Sequence, residues 1–128
     1  MTVFVETDFL LAIAKDTDWL QERAEEILDE REVVTSPVAY LEMLIVLERH
    51  QLDFVRLFAN LLDVVPVGDD EEQQIVLKAV AYFEDGMTPF DSFHAGTAET
   101  RGHSILSSDE AYGDADPERL PLEPDTDE

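Results

Sequence analysis

The sequence predicts an α/β fold, with a central parallel sheet of four to five short strands covered by helices on both faces. Short extended stretches (Val3–Val5, Val33–Val34, the run "DVVPV" and Ser104–Ser107) alternate with longer segments of helical periodicity. Helix signals bracket those longer segments: Ser36-Pro37 and Thr88-Pro89 each place an N-cap before a proline, while Gly86 and Gly102 stand where helices stop. A chain of 128 residues with an apolar fraction of 45% is also long enough to bury one ordinary core.

The elements follow in order. Val3 to Val5 form the first strand, and a brief helix covers Phe9 to Ala14. Asp16 or Thr17 caps a second helix, whose inner face carries Leu20, Ala24, Ile27 and Leu28. "REVVTSP" reads as a strand and then a start signal, and the helix it opens runs through "VAYLEMLIVLERH". Leu52, Val55, Phe58, Ala59 and Leu62 mark another helical face, and "DVVPV" is the third strand. "DDEEQQIVLKAVAYFEDG" is a helix with acids in its first turn, where the macrodipole favours them. "TPFDSFHAGTAETRG" is the last long helix, and its Ala95, Gly96 and Ala98 permit close approach of a neighbour. Ser104 to Ser107 give a fourth strand, Asp109 caps a short final helix, and "RLPLEP" is a short edge strand that tolerates proline. One domain is therefore expected over residues 1–122, with a disordered acidic tail over 123–128.

Charge narrows the function classes. Lys and Arg number 8 and Asp and Glu 31, a formal charge of −23. With so large an apolar fraction, this argues for a folded protein with a solvated acidic surface, suited to a salt-rich cytoplasm. At about 1 M salt the Debye length is about 3 Å, so surface repulsion is screened. The rival reading is an acidic protein that seeks a basic partner. The absence of cysteine excludes disulfides, thiolate catalysis and Cys-based zinc sites. No basic n-region opens the chain and no apolar run suits a bilayer, so a cytoplasmic protein without membrane association is expected.

Most of the acids must be solvated, and the informative ones have awkward contexts. Glu6 and Asp8 end an apolar strand and share one face of an extended chain. Glu42 is flanked at helical spacing by Val38, Ala39, Ile45 and Val46, which predict a buried stripe and direct Glu42 inward or into a cleft. A solvent-seeking side chain or a partner for a buried arginine would explain it equally. Asp91 and Asp109 both have capping explanations, as does Asp8. In a parallel sheet, however, these positions converge on the carboxyl edge, where ligands bind. Crowded carboxylates shift toward protonation unless a cation joins them. Oxygen-only ligands suit Mg²⁺ or Mn²⁺, and a hard cation in an acidic cleft suits phosphodiester hydrolysis.

"VFVETDFLLA", "SPVAYLEML", "TPFDSFHAGTA" and "LSSDEAYGD" resemble, in order and spacing, the four acidic motifs of the PIN-domain family. The resemblance extends to about Pro121. It implies an α/β/α sandwich and metal-dependent RNA cleavage, as in the small VapC-like ribonuclease toxins of toxin–antitoxin pairs. Carried over to this chain, Glu6, Glu42, Asp91 and Asp109 would be catalytic, and Glu6, Asp8, Asp91 and Asp109 would hold Mg²⁺ or Mn²⁺. The partners implied are an RNA substrate, a small antitoxin protein and a second copy in a homodimer. The first motif departs from the family's usual Asp-Thr-Asn: Glu6 stands at the acidic position and Asp8 where the amide belongs, so either could be the direct ligand. Ser107 replaces the usual threonine before the last acid and keeps a hydroxyl.

His94, three residues after Asp91, is read as a packing or hydrogen-bonding residue, and His50 and His103 as surface positions. Arg49, Arg56 and Arg101 are candidate phosphate contacts. A phosphorylation-receiver-like module would need an aspartate after the third strand and a late lysine; the sequence supplies neither. A catalytically silent, partner-binding PIN fold is the alternative that the residues leave open.

Overall fold

The computed structural model describes residues 2–15 and 20–124. Strand β1, Thr2–Phe4, lies parallel to β2, Glu32–Val34, with Val3 opposite Val33. The Val5 amide continues the ladder to the Val34 carbonyl at 2.9 Å, and the buried Thr35 hydroxyl donates back to the Val5 carbonyl at 2.6 Å. Near the other end of the chain, β3, Ile105–Ser107, runs parallel to β4, Arg119–Pro121, with Leu106 opposite Leu120.

The described residues thus show two parallel pairs in place of one sheet of four to five strands. The expected third strand is reduced to a single parallel bridge between Thr35 and Val67. Proline explains this locally. Pro66 accepts from the Thr35 amide at 2.9 Å but has no N–H to return, so the ladder stops after one rung.

Among the described residues, six α-helices accompany these strands: α1 (Thr7–Ala14), α2 (Gln21–Glu30), α3 (Pro37–Leu47), α4 (Phe54–Val64), α5 (Asp70–Glu84) and α6 (Pro89–Arg101). Helices α3 and α6 start at the expected residues, although the Ser36 side chain makes no capping bond. Pro37 and Pro89 occupy first turns, Thr88 accepts from the Asp91 amide, and Gly102 closes α6 in the left-handed region at φ 68°. The cap expected at Asp16 or Thr17 and the last four residues of the acidic tail lie outside the described residues.

Tyr40, Met43 and Leu44 of α3, Leu10 of α1, Phe58 of α4 and Val76 and Val80 of α5 are fully buried together. Each such side chain contributes about 1.5–3 kcal/mol by leaving water. The Tyr40 hydroxyl finds the Val65 carbonyl at 2.7 Å, so its burial leaves no polar group unpaired. Burial also pushes the Tyr40 phenol well above its ordinary pKa. On α4 the inner face is Phe54, Phe58, Leu61 and Leu62; Val55 and Leu52, expected there, are exposed. Helices α5 and α6 pack closely at Gly96, where a Cβ would lie 2.8 Å from the Ala79 nitrogen and 2.9 Å from the Ile75 oxygen. No described helix is long and apolar enough to cross a membrane.

Candidate functional site

The first motif sits where β1 gives way to α1. Glu6 is the N-cap residue, extended at φ −109°, yet its side chain makes no capping bond and is exposed. Asp8 follows in the first turn, also exposed. The Thr7 hydroxyl donates to the Ala39 carbonyl at 3.4 Å, which joins the start of α1 to the start of α3, the helix of the second motif.

Glu42 is exposed, contrary to the inward direction expected. The buried stripe of α3 is Ala39, Tyr40, Met43, Leu44 and Leu47, whereas Val38, Ile45 and Val46 face outward. That removes the reading of Glu42 as the partner of a buried arginine.

Asp91 lies half-buried in the first turn of α6. Its amide donates to the Thr88 hydroxyl at 3.3 Å, while its carboxylate is used elsewhere. Asp91 Oδ1 accepts a 3.0 Å hydrogen bond from the Tyr112 hydroxyl. Tyr112 belongs to the short 3-10 helix Glu110–Asp114, which Asp109 caps through a 2.9 Å bond from the Ala111 amide to its Oδ1. The Ser107 hydroxyl accepts from the Asp109 amide at 2.9 Å, and Arg119 Nε donates to the Asp109 carbonyl at 3.0 Å. The hydroxyl before the last acid therefore shapes the turn that presents it.

Tyr112 links Asp91 to the short helix that Asp109 caps, a contact that motif spacing does not reveal. Burial raises its phenol pKa first; the Asp91 hydrogen bond and charge and then the Asp109 charge raise it further. An aromatic three residues beyond Asp109, alone in a polar stretch, was the available signal. Beside the pair, an open cleft of about 420 Å³ runs between α6 and β3, lined in part by His94, Thr97, Ile105, Ser107 and Tyr112. His94 is exposed on this cleft rather than packed, and His103 is exposed as well.

A second polar knot fixes the chain just beyond the 3-10 helix. The Tyr82 hydroxyl donates to Glu99 Oε1 at 3.0 Å and accepts from the Asp116 amide at 3.0 Å, and Lys78 Nζ lies 3.2 Å from Glu99 Oε2. Burial, above all, pushes Tyr82 up to about 12. Burial works to raise Glu99, but hydrogen bonds with Asp116, Tyr82 and Lys78 outweigh it and hold the carboxyl below its ordinary range. Asp116 is raised by its hydrogen bond to Glu99 and by that group's charge.

Among the described residues, no three His, Asp or Glu side chains gather around one point in a way that could hold a metal ion. Asp91 and Asp109 each commit Oδ1 within the chain, and a carboxylate offers a second oxygen. Such a donor pair suits Mg²⁺, which keeps several waters and takes one or two carboxylates. Glu6 and Asp8 stand at the start of α1 and Glu42 in the middle of α3, all exposed and outside the hydrogen bonds of Asp91 and Asp109.

Short parallel strands among helices, with Glu6 and Asp8 following β1 and a hydroxyl-shaped turn presenting Asp109 after β3, define an α/β protein. Residues 3–116 match the PIN domain family, and the chain belongs to it. PIN domains are generally nucleases, and they typically use divalent metal ions. Among solved structures, the crystal structure of DNA-bound VapBC from Salmonella typhimurium is similar at 17% identity, covering 94% of this chain and 98% of that one, with a TM-score of 0.36. A comparison with curated proteins returned no match.

Proposed function

We propose that this protein is a Mg²⁺- or Mn²⁺-dependent endoribonuclease, the toxin of a toxin–antitoxin pair, acting as a homodimer that a small antitoxin protein restrains. The observation that carries the reading is the hydrogen bond from the Tyr112 phenol to Asp91, which ties that motif acid to the short helix that Asp109, 18 positions further on, caps. Four motifs in family order within one matched domain support it.

In this reading Asp91 and Asp109, with Glu6 or Asp8 from the first motif, would hold the ion. When bound, the ion supplies an activated water and offsets charge on the scissile phosphate. Tyr112 orients Asp91, and Ser107 and Arg119 hold the Asp109 turn. Glu42 completes the acidic edge and orients water. The cleft between α6 and β3 receives the strand.

The net charge of −23 opposes RNA binding outside the cleft, which favours the second reading, a catalytically silent PIN fold that binds a protein partner. Cleavage of purified RNA in high salt separates the two. Wild type should cut with Mg²⁺ or Mn²⁺ and not with EDTA, and Asp91→Asn should abolish cutting while leaving circular dichroism unchanged. Wild-type rates from the variant would remove Asp91 from the site.

A further inference from the structure

Arg119 makes two kinds of contact. Its Nε donates to the Asp109 carbonyl at 3.0 Å, while Nη2 donates to both carboxylate oxygens of Glu123 at 2.8 and 2.9 Å. The guanidinium is mostly covered, with its side chain 17% exposed, whereas that of Glu123 is 44% exposed. Its neighbourhood is fixed: the Leu122 amide donates to the Ser107 carbonyl at 3.2 Å, and β4 pairs with β3. A cation thus stands against the very turn that presents Asp109, with one edge tied to the chain and another closed on a two-oxygen anion.

A phosphodiester presents the same features as that carboxylate: two non-bridging oxygens sharing one negative charge. A planar guanidinium suits both. We propose that Arg119 receives a backbone phosphate of the RNA strand, and that Glu123 fills this seat until the strand displaces it. The assignment rests on the endoribonuclease reading. The exchange is easy because Glu123, the mobile partner, lies in solvent where an ion pair is weak, and one guanidinium contact replaces another. It also answers the electrostatic difficulty, since the cation lies at the acid edge itself. Arg101, a candidate from sequence, is instead paired with Glu71 at 2.6 Å.

The test uses the full chain carrying Asp91→Asn, to prevent cutting, and a fluorescein-labelled single-stranded RNA followed by anisotropy across a salt series. Adding Arg119→Gln should weaken binding and make the slope of log K against log salt less negative by about 0.7, the release expected for one single-strand phosphate. Arg119→Lys should keep most of the slope, since the charge remains. Glu123→Gln should tighten binding about twofold to fivefold, the scale of an exposed pair. A role confined to holding the Asp109 carbonyl would leave the slope unmoved, and that result, an absence of RNA binding, or an unchanged affinity in Glu123→Gln, overturns the proposal. Should Arg119→Gln fail to fold, Glu123→Gln decides alone. Wild-type cleavage is measured separately: cutting with unmoved slopes sinks only the phosphate seat, whereas an Arg119-dependent slope without cutting sinks only the nuclease reading.

Discussion

The Tyr112 hydroxyl and the Asp91 carboxylate, 21 positions apart, meet in a 3.0 Å hydrogen bond that ties the first turn of α6 to the segment following Asp109. A neutral donor on a carboxylate fixes which oxygen faces inward and which remains for a ligand. Tyr112→Phe keeps the buried ring and removes only the bond. We expect a stability loss of about 1.5 kcal/mol, the lower end for a hydrogen bond to a charged group because Asp91 is half-buried. The Mn²⁺ concentration at half-saturation, read by calorimetry, should rise. Unchanged metal affinity would make the phenol a packing group only.

All three tyrosines, Tyr40, Tyr82 and Tyr112, have raised pKa values, with burial the first cause in each. A raised phenol pKa means the fold favours the protonated form. The stability involved is complete below the unfolded value near 10 and is lost as pH climbs through the folded values, about 12 for Tyr82. Absorbance at about 295 nm should therefore show little phenolate at pH about 10 in the folded protein. In Asp91→Asn, one tyrosine should titrate earlier, because the Asp91 charge acting on Tyr112 has been removed and the remaining hydrogen bond is to a neutral acceptor. An identical curve would mean that Asp91 and Tyr112 are not coupled in solution.

Gly96 stands where α5 and α6 are closest, and the atoms a Cβ would meet there are backbone atoms of Ile75 and Ala79, which cannot rotate away. Gly96→Ala gains about 1 kcal/mol of helix propensity, yet it must separate two helices packed in the core. A net loss of about 2 kcal/mol is expected in denaturant melts. A stabilised variant would show that the two helices sit farther apart in solution.

The charge of −23 should make the fold salt-dependent, because ions screen self-repulsion. The thermal midpoint should be lower in dilute buffer than in molar KCl. Equal midpoints would weigh against the salt-rich cytoplasm and for a basic partner.

What the sequence disclosed was local chemistry. Ser36-Pro37, Thr88-Pro89, Gly102 and the Asp109 cap act within a few residues, so their types suffice to place them. Glu42 was misdirected for a physical reason: α3 is apolar on nearly every side, so its periodicity admits two inner faces, and only packing through Tyr40 and Met43 selects one. The third strand was over-read because "DVVPV" looks apolar and extended, while the missing N–H of Pro66 limits its pairing. The roles of Tyr112 and Arg119 lie in contacts with Asp91 and the Asp109 carbonyl that no spacing encodes.

The unequal anchoring of the two acids has a consequence for motion. Asp91 is carried by α6, which buries Ser92, Phe93, Ala95, Gly96 and Ala98 along its length. Asp109 is carried by a pair of three-residue strands whose facing Leu106 and Leu120 are largely exposed, secured by Tyr112, Arg119 and the Tyr82 knot. Segments with few buried contacts open at lower free energy than the core. Amide protons of β3 and β4 should then exchange with deuterium well before those of α6. The link between Asp91 and the Asp109 turn can break and re-form by a sub-global opening of the strand pair while the helical body stays closed.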